Sequence, residues 1–252
     1  MSTLLRTDHL SVGYRKKPVL TNISIELGQG ELVALIGVNG SGKSTLLRTF
    51  AGLQLPLSGD IEIAGRALRE MTSAERARQI SVVLTGRPNF GLLDVHTLIA
   101  LGRQPWTNHL GRLSKEDLEK VDQAMEHTGT TAFAHRSLGA LSDGELQKVL
   151  VARALAQDTP LMLLDEPTAF LDLVNRVQLM RLLRTIVHSL QKTVLLSTHD
   201  LQTAMALSGR LMIVDEGTLW SGTPKEAIDN KILSKAFTKA GGSFDPINMS
   251  FI

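Results

Sequence analysis

Cysteine is absent from all 252 residues, which excludes disulfides and thiolate metal sites and suits a reducing compartment. Excess charge of one sign is missing too. Lys plus Arg number 27 against 25 Asp plus Glu, a formal charge of +2, and no basic run stands out. The chain therefore carries no electrostatic footprint for nucleic acid. Long apolar runs are also lacking: none approaches the roughly 18 residues needed to span a bilayer. Met1 to Leu10 holds Arg6, Asp8 and His9 where a signal peptide would have an apolar stretch. Any membrane connection is thus expected through a partner. Internal repeats and low-complexity linkers are absent as well. What is present, 43% hydrophobic and 21% charged residues, suits one large α/β domain or a core with a smaller lobe.

Three unbroken apolar runs set the expected architecture: Leu32 to Ile36, Leu161 to Leu164 and Thr193 to Leu196. Runs of that kind suit strands buried on both faces of a mostly parallel sheet. Each ends in polar residues capable of chemistry: Gly37 to Ser44, Asp165-Glu166, and His199. Ligands in open α/β sheets lie at the carboxyl ends of strands, so the three endings are expected to converge. Helical spacing predicts helices over Lys43 to Leu53 and Gly144 to Gln157. From about Arg87 to Gln157 the pattern is mostly helical, which predicts a lobe inserted into the core. Leu4 to Leu27 and Gly59 to Ile63 alternate as strands of an antiparallel layer. After about Lys225 the tail begins as a helix, and from Gly241-Gly242 onward the sequence gives no clear pattern.

Gly37-Val38-Asn39-Gly40-Ser41-Gly42-Lys43-Ser44 fits a phosphate-binding loop: glycine, four residues, then Gly-Lys-Ser. A triphosphate needs closely spaced backbone donors unobstructed by side chains, which glycines and a helix N-terminus supply. Lys43 would reach the β- and γ-phosphates and the Ser44 hydroxyl would ligate Mg²⁺. The plain alternative is a glycine-rich strand-to-helix turn. In Asp165-Glu166, two adjacent carboxylates at a strand end call for a nearby cation. Asp165 would hold the Mg²⁺ shell and Glu166 would orient and deprotonate the attacking water. The alternative is a solvated acidic loop. His199 is read either as a γ-phosphate partner or as a structural histidine. Ser142 and Glu145 have capping-box spacing, and the helix they open, with Gly144 beside it, is also an anion site.

In this order the motifs resemble the ATP-binding cassette (ABC) ATPase family, and the resemblance covers nearly the whole chain. Gly37 to Thr45 match its Walker A loop, Leu141 to Gln147 its signature, and Leu161 to Glu166 its Walker B strand. Ala169 to Asp172 match its D-loop and His199 its switch histidine. The resemblance implies a RecA-like P-loop NTPase core at 1–86 and 158–252, with a helical signature subdomain at 87–157. It implies that Tyr14, the only tyrosine, stacks on adenine; core packing is the other reading of that residue. It implies a head-to-tail dimer in which Ser142 and Gly144 of a second copy complete each ATP site, with Asp172 lining the contact. Two positions depart from the pattern. Thr85 follows the run Ile80 to Leu84 where the family usually has a Mg²⁺-contacting Gln; it is read as a metal ligand, through a bridging water if needed, or as a loop residue. Asp143 stands where glycine is usual and is expected to point away from the nucleotide.

Ala100 to Trp106, Gly111 to Ser114 and Glu216 to Pro224 resemble the ATPases of iron-siderophore, haem and cobalamin importers. The subfamily resemblance implies two integral membrane permease subunits, indirectly a substrate-binding protein, and a place on the cytoplasmic face of the plasma membrane. Pro105-Trp106 is read as a helix-breaking turn with an apolar contact or as a contact with a partner. Two further readings stand beside this one: a soluble ABC ATPase, for example in iron–sulfur cluster assembly, and a phosphate-loop kinase. The stretch Gly102 to Ser114 weighs against the first and the signature against the second.

Overall fold

A computed structural model describes residues 2–86, 91–108, 110–238, 244–245 and 250–251. The chain opens with β1 (Thr3–Tyr14), β2 (Lys17–Ile23) and β3 (Glu26–Gly28), both of the latter antiparallel to β1. β4 (Leu32–Ile36) runs through the glycine-rich loop into α1 (Lys43–Phe50). β5 (Ser58–Ile63) and β6 (Arg66–Ala67) then return to the first layer, β5 lying against β1. α2 (Ser73–Gln79) leads to β7 (Ile80–Val83). Next come α3 (Val95–Ala100), a 3-10 turn at Leu101–Trp106, α4 (Lys115–Thr128) and α5 (Asp143–Ala156). The last third alternates: β8 (Leu161–Leu164), α6 (Leu173–Leu190), β9 (Thr193–Ser197), α7 (Leu201–Leu207), β10 (Arg210–Asp215) and β11 (Thr218–Gly222). α8 (Pro224–Asp229) and α9 (Ile232–Thr238) follow.

The central sheet has the order β11-β10-β4-β9-β8-β7; every neighbouring pair is parallel except β10 with β11. Its strands read as continuous apolar runs because both faces are covered. Leu161, Leu163, Val33 and Leu35 face α1 and the antiparallel layer. Met162, Leu164, Val194 and Leu196 face α5 and α6 on the other side. Ala34, Ile36, Leu211 and Ile213 pack against α7 and α9. Each such Leu, Val, Ile or Met side chain removed from water contributes about 1.5–3 kcal/mol, so the sheet is the rigid base on which the loops at its carboxyl ends are set. β10 was not foreseen, although Leu211 to Val214 is as apolar as the three runs that were.

Helix boundaries fall where local chemistry puts them. α1 ends at Phe50, short of the expected Leu53, because Gly52 takes a left-handed φ of 66° that closes the turn. α5 spans Asp143–Ala156, starting one residue before Gly144 and ending one before Gln157. Between residues 91 and 157 the described segments are helices, turns and one isolated bridge, Asp94 to Ser137. The expected lobe boundary at 87 lies outside the described residues, as does most of the tail from Gly241. Pro105-Trp106 closes the 3-10 turn, and the indole makes polar and cation–π contacts there. The indole lies 5.1 Å from the Arg78 guanidinium and 5.2 Å from that of Arg103, and its Nε1–H donates to Gln157 O. Beneath it Arg103 and Asp117 form a buried ion pair at 2.9 Å.

Candidate functional site

The glycine-rich loop leaves β4 and enters α1 through Gly40 (φ 80°) and Gly42 (φ 107°). A Cβ at Gly42 would lie 2.5 Å from Val19, so only glycine lets the loop curl this tightly. From α1 to α8 a side-chain oxygen caps the N-terminus of every helix but one: Thr72, Asp94, Ser114, Ser142, Asp172, Asp200 and Thr223 each serve. The exception is α1, whose N-cap is Gly42 with no side-chain bond. Its first amides are left for an external acceptor, the arrangement that binds anions. Ser41 Oγ, in the same loop, is buried and has no hydrogen-bond partner among the described residues.

Lys43 is folded under the loop, 6% exposed, with Nζ donating to Gly37 O at 2.9 Å and Val38 O at 3.2 Å. Burial holds its ammonium below the ordinary lysine range, while the charges of Glu166 and Asp165 pull it back up. Ser44 Oγ donates to Asp165 Oδ1 at 2.8 Å across 121 residues of sequence. Glu166 Oε1 lies 3.8 Å from Lys43 Nζ, and Glu166 Oε2 lies 2.8 Å from His199 Nδ1. The three strand endings meet as expected.

Ser197 was not anticipated. Its Oγ donates to Asp165 Oδ1 at 2.8 Å and accepts from Glu166 N at 2.8 Å. The sequence signal was slight: a small hydroxyl residue closing the third apolar run, two before His199.

The other candidates occupy three further places. Tyr14 is 49% exposed, so its ring is not core; its hydroxyl accepts a 3.1 Å bond from Thr45 Oγ1 on α1. Thr85 Oγ1 donates to the main-chain oxygen of Asp165 at 2.8 Å, not to its carboxylate. Ser142 caps α5 in a reciprocal box with Glu145, whose other oxygen meets Arg136 at 3.0 Å. Gly144 abuts the start of α6, where a Cβ would lie 2.7 Å from Asn175 Oδ1. Asp172 caps that helix and accepts from both nitrogens of Asn175. All the hydrogen bonds described for Ser142 stay within its own turn. In this chain the signature and D-loop candidates thus adjoin each other, and the D-loop joins the Lys43 cluster through Ala169 N–H, which donates to Glu166 O at 3.1 Å.

Among the described residues no group of three or more His, Cys, Asp or Glu could hold a metal alone. Ser44 hydroxyl and Asp165 carboxylate are hard oxygen donors of the kind Mg²⁺ takes, and phosphate oxygens and waters commonly complete such a shell. The donor set fits Mg²⁺ bound together with a nucleotide.

Comparison with known proteins agrees with this geometry. The family described as ABC transporter matches residues 20–169. The achromobactin transport ATP-binding protein CbrD of Dickeya dadantii is 36% identical, over 93% of this chain and 88% of that protein. The ferric enterobactin transport ATP-binding protein FepC of Escherichia coli is also 36% identical, over 92% and 86%. Among solved structures, cbiO1 of Clostridium perfringens, part of the transporter complex cbiONQ, superposes with a TM-score of 0.81. It is 26% identical, covering 95% of this chain and 96% of its own.

Proposed function

This chain belongs to the ABC transporter family, and from that premise we propose that it powers the uptake of a chelated metal, an iron–siderophore complex, haem or cobalamin. It is an ATP-hydrolysing, energy-coupling subunit. One observation carries the reading of the site: α1 alone among α1 to α8 lacks a side-chain cap, at the loop where Lys43, Asp165 and Glu166 meet.

ATP is laid along that loop. Tyr14 offers its exposed face to adenine, and the amides of Gly37 to Thr45, with Lys43, take the β- and γ-phosphates. Phosphate charge would add to the attraction by which Glu166 and Asp165 favour the charged Lys43 ammonium. Ser44 and Asp165 would hold Mg²⁺, with Thr85 beside them on the main-chain oxygen of Asp165. Bound there, the ion would neutralise charge on the transferring phosphoryl group. Glu166 orients the attacking water and accepts its proton, and His199 steadies the carboxylate through the 2.8 Å contact.

About half of the γ-phosphate donors come from a second copy in this reading. Phe170, Leu173 and Val174 are exposed apolar residues flanking Asp172, beside the Gly144 turn, and a head-to-tail partner covers them. That partner brings its Ser142, Gly144 and Glu145 to the first chain's phosphates. A second apolar strip suits the permease. Leu53 and Leu55 follow α1, Arg76 packs over Gly52, and Arg78 of the same helix reaches Pro105 O beside exposed Leu101 and Trp106. No described helix is long and apolar enough to cross a membrane. In this reading permease subunits hold the chain on the cytoplasmic face, and the substrate-binding protein is reached indirectly.

The test is co-purification with a polytopic membrane protein, together with uptake of a radiolabelled ferric siderophore in cells with and without the chain. Loss of uptake with the chain, restored by its return, supports the reading. ATPase activity with no membrane partner and unchanged uptake of ferric siderophore, haem and cobalamin refutes the importer assignment.

A further inference from the structure

The geometry points to Ser197 as a positioning residue that fixes both carboxylates of the hydrolysis site, an inference that rests on the ATPase reading above. Parallel pairing of β8 with β9 places Leu164 level with Leu196, so Ser197 is carried to the side of Asp165. Ser197 is fully buried, at 0% exposure. Its hydroxyl has one proton and two assigned partners. The Glu166 amide can only donate to it, and the Asp165 carboxylate can only accept from it. Both directions are therefore set.

Each bond does separate work. Glu166 sits at φ 50°, the left-handed region that a residue with a Cβ rarely adopts. The Ser197 bond to its amide pins that backbone, and the backbone aims the carboxylate at His199 and Lys43. The second bond, together with Ser44, commits Asp165 Oδ1 to two hydroxyl donors. Oδ2 is the carboxylate oxygen with no hydrogen bond among the described residues. Ser44 has a second duty, since its oxygen is also the expected Mg²⁺ ligand. Ser197 has none: it is buried at the end of β9, and both of its polar roles are taken by Asp165 and Glu166. It serves as the fixed point against which Asp165 and Glu166 keep their orientation while Ser44 engages the ion.

Removing the hydroxyl leaves the Glu166 amide without its acceptor and frees Asp165 to turn. The experiment compares Ser197→Ala and Ser197→Cys with the unaltered full-length chain. It reads kcat and KM for ATP, binding of a fluorescent ATP analogue in Mg²⁺ and in EDTA, and the melting midpoint. Ser197→Ala is expected to cut kcat about tenfold to a hundredfold with KM within about threefold, the scale of a misplaced catalytic group. Its gain in nucleotide affinity from Mg²⁺ shrinks, while affinity in EDTA stays as in the unaltered chain, because Lys43 and the loop amides are untouched. Ser197→Cys, with a weak donor and acceptor of similar size, falls between and carries the test if the alanine variant does not fold.

A kcat within twofold of the unaltered chain, with the Mg²⁺ gain intact, overturns the inference. So does a loss of activity in either variant that only tracks the folded fraction. A Lys43→Ala control separates the two levels of the argument. If it abolishes nucleotide binding while Ser197→Ala changes nothing, only the role of Ser197 fails. If the unaltered chain shows no Mg²⁺-dependent binding, the ATPase reading itself fails.

Discussion

The Lys43 cluster and the Ser142 turn are both helix N-termini with catalytic promise, yet they are built in opposite ways. At Lys43 the helix is uncapped, the lysine is buried, and Ser44 and Lys43 reach Asp165 and Glu166, more than a hundred positions away. At Ser142 the helix is capped by its own side chain, the serine is exposed, and its bonds close on Glu145 three residues on. On the proposed reading the first is set up within one chain to bind nucleotide and Mg²⁺. The second is closed on itself and stands beside exposed Phe170, Leu173 and Val174, which the proposed function assigns to the contact with a second copy. A single chain should therefore bind nucleotide well and hydrolyse it poorly.

Breaking the buried side has the largest effect. Glu166→Gln keeps size and the left-handed backbone position but cannot take a proton; ATPase activity is expected to fall by about a hundredfold or more, measured by phosphate release. Ser142→Arg attacks the exposed side. It is expected to lower ATPase activity about a hundredfold by blocking the partner's approach, while equilibrium nucleotide binding by the isolated chain stays within about twofold. Loss of nucleotide binding by the isolated Ser142→Arg chain would erase the distinction between the two regions.

A third change leaves both regions alone and loosens what carries the signature helix. Arg103→Met strands the Asp117 carboxylate inside the helices and is expected to cost about 3 kcal/mol in denaturant unfolding. Burial pushes the Asp117 carboxyl up, but the Ser114 amide and hydroxyl and Arg103 together hold it below the usual range. Its contribution is thus fully present above the unfolded carboxylate pKa, near 3.9, and fades as pH falls toward the lower folded value. Arg103→Met removes one of those holds, so the variant should unfold in acid at a higher pH. The smallest effect is expected at Thr85. Its hydroxyl meets a main-chain oxygen, so Thr85→Gln should change ATPase activity by less than about threefold. Unchanged transport in the same variant would remove any coupling role from this position.

The same contrast explains what could be read from sequence. The phosphate loop and the Asp165-Glu166 and His199 endings were legible because a strand buried on both faces leaves an apolar run that stops abruptly at the chemistry. The Ser142 cap was legible because its partner is three residues away. Ser197 was not, since its partners are set by the register of β8 against β9, which no local pattern encodes. β10 was passed over for a different reason: Leu211 to Val214 is apolar enough, but it leads to the turn at Asp215 to Thr218 rather than to recognisable catalytic residues. Tyr14 stayed ambiguous because a lone aromatic at the end of a strand fits both core and ligand; the fold leaves it half-exposed beside α1.

Mass measurement by light scattering on the Glu166→Gln chain, with and without MgATP, probes the divided site most directly. Doubling of the mass with MgATP, and no doubling when Ser142→Arg is added, is the predicted result. A Glu166→Gln chain that binds MgATP yet stays a monomer at every concentration tested would contradict a γ-phosphate site completed by a second copy.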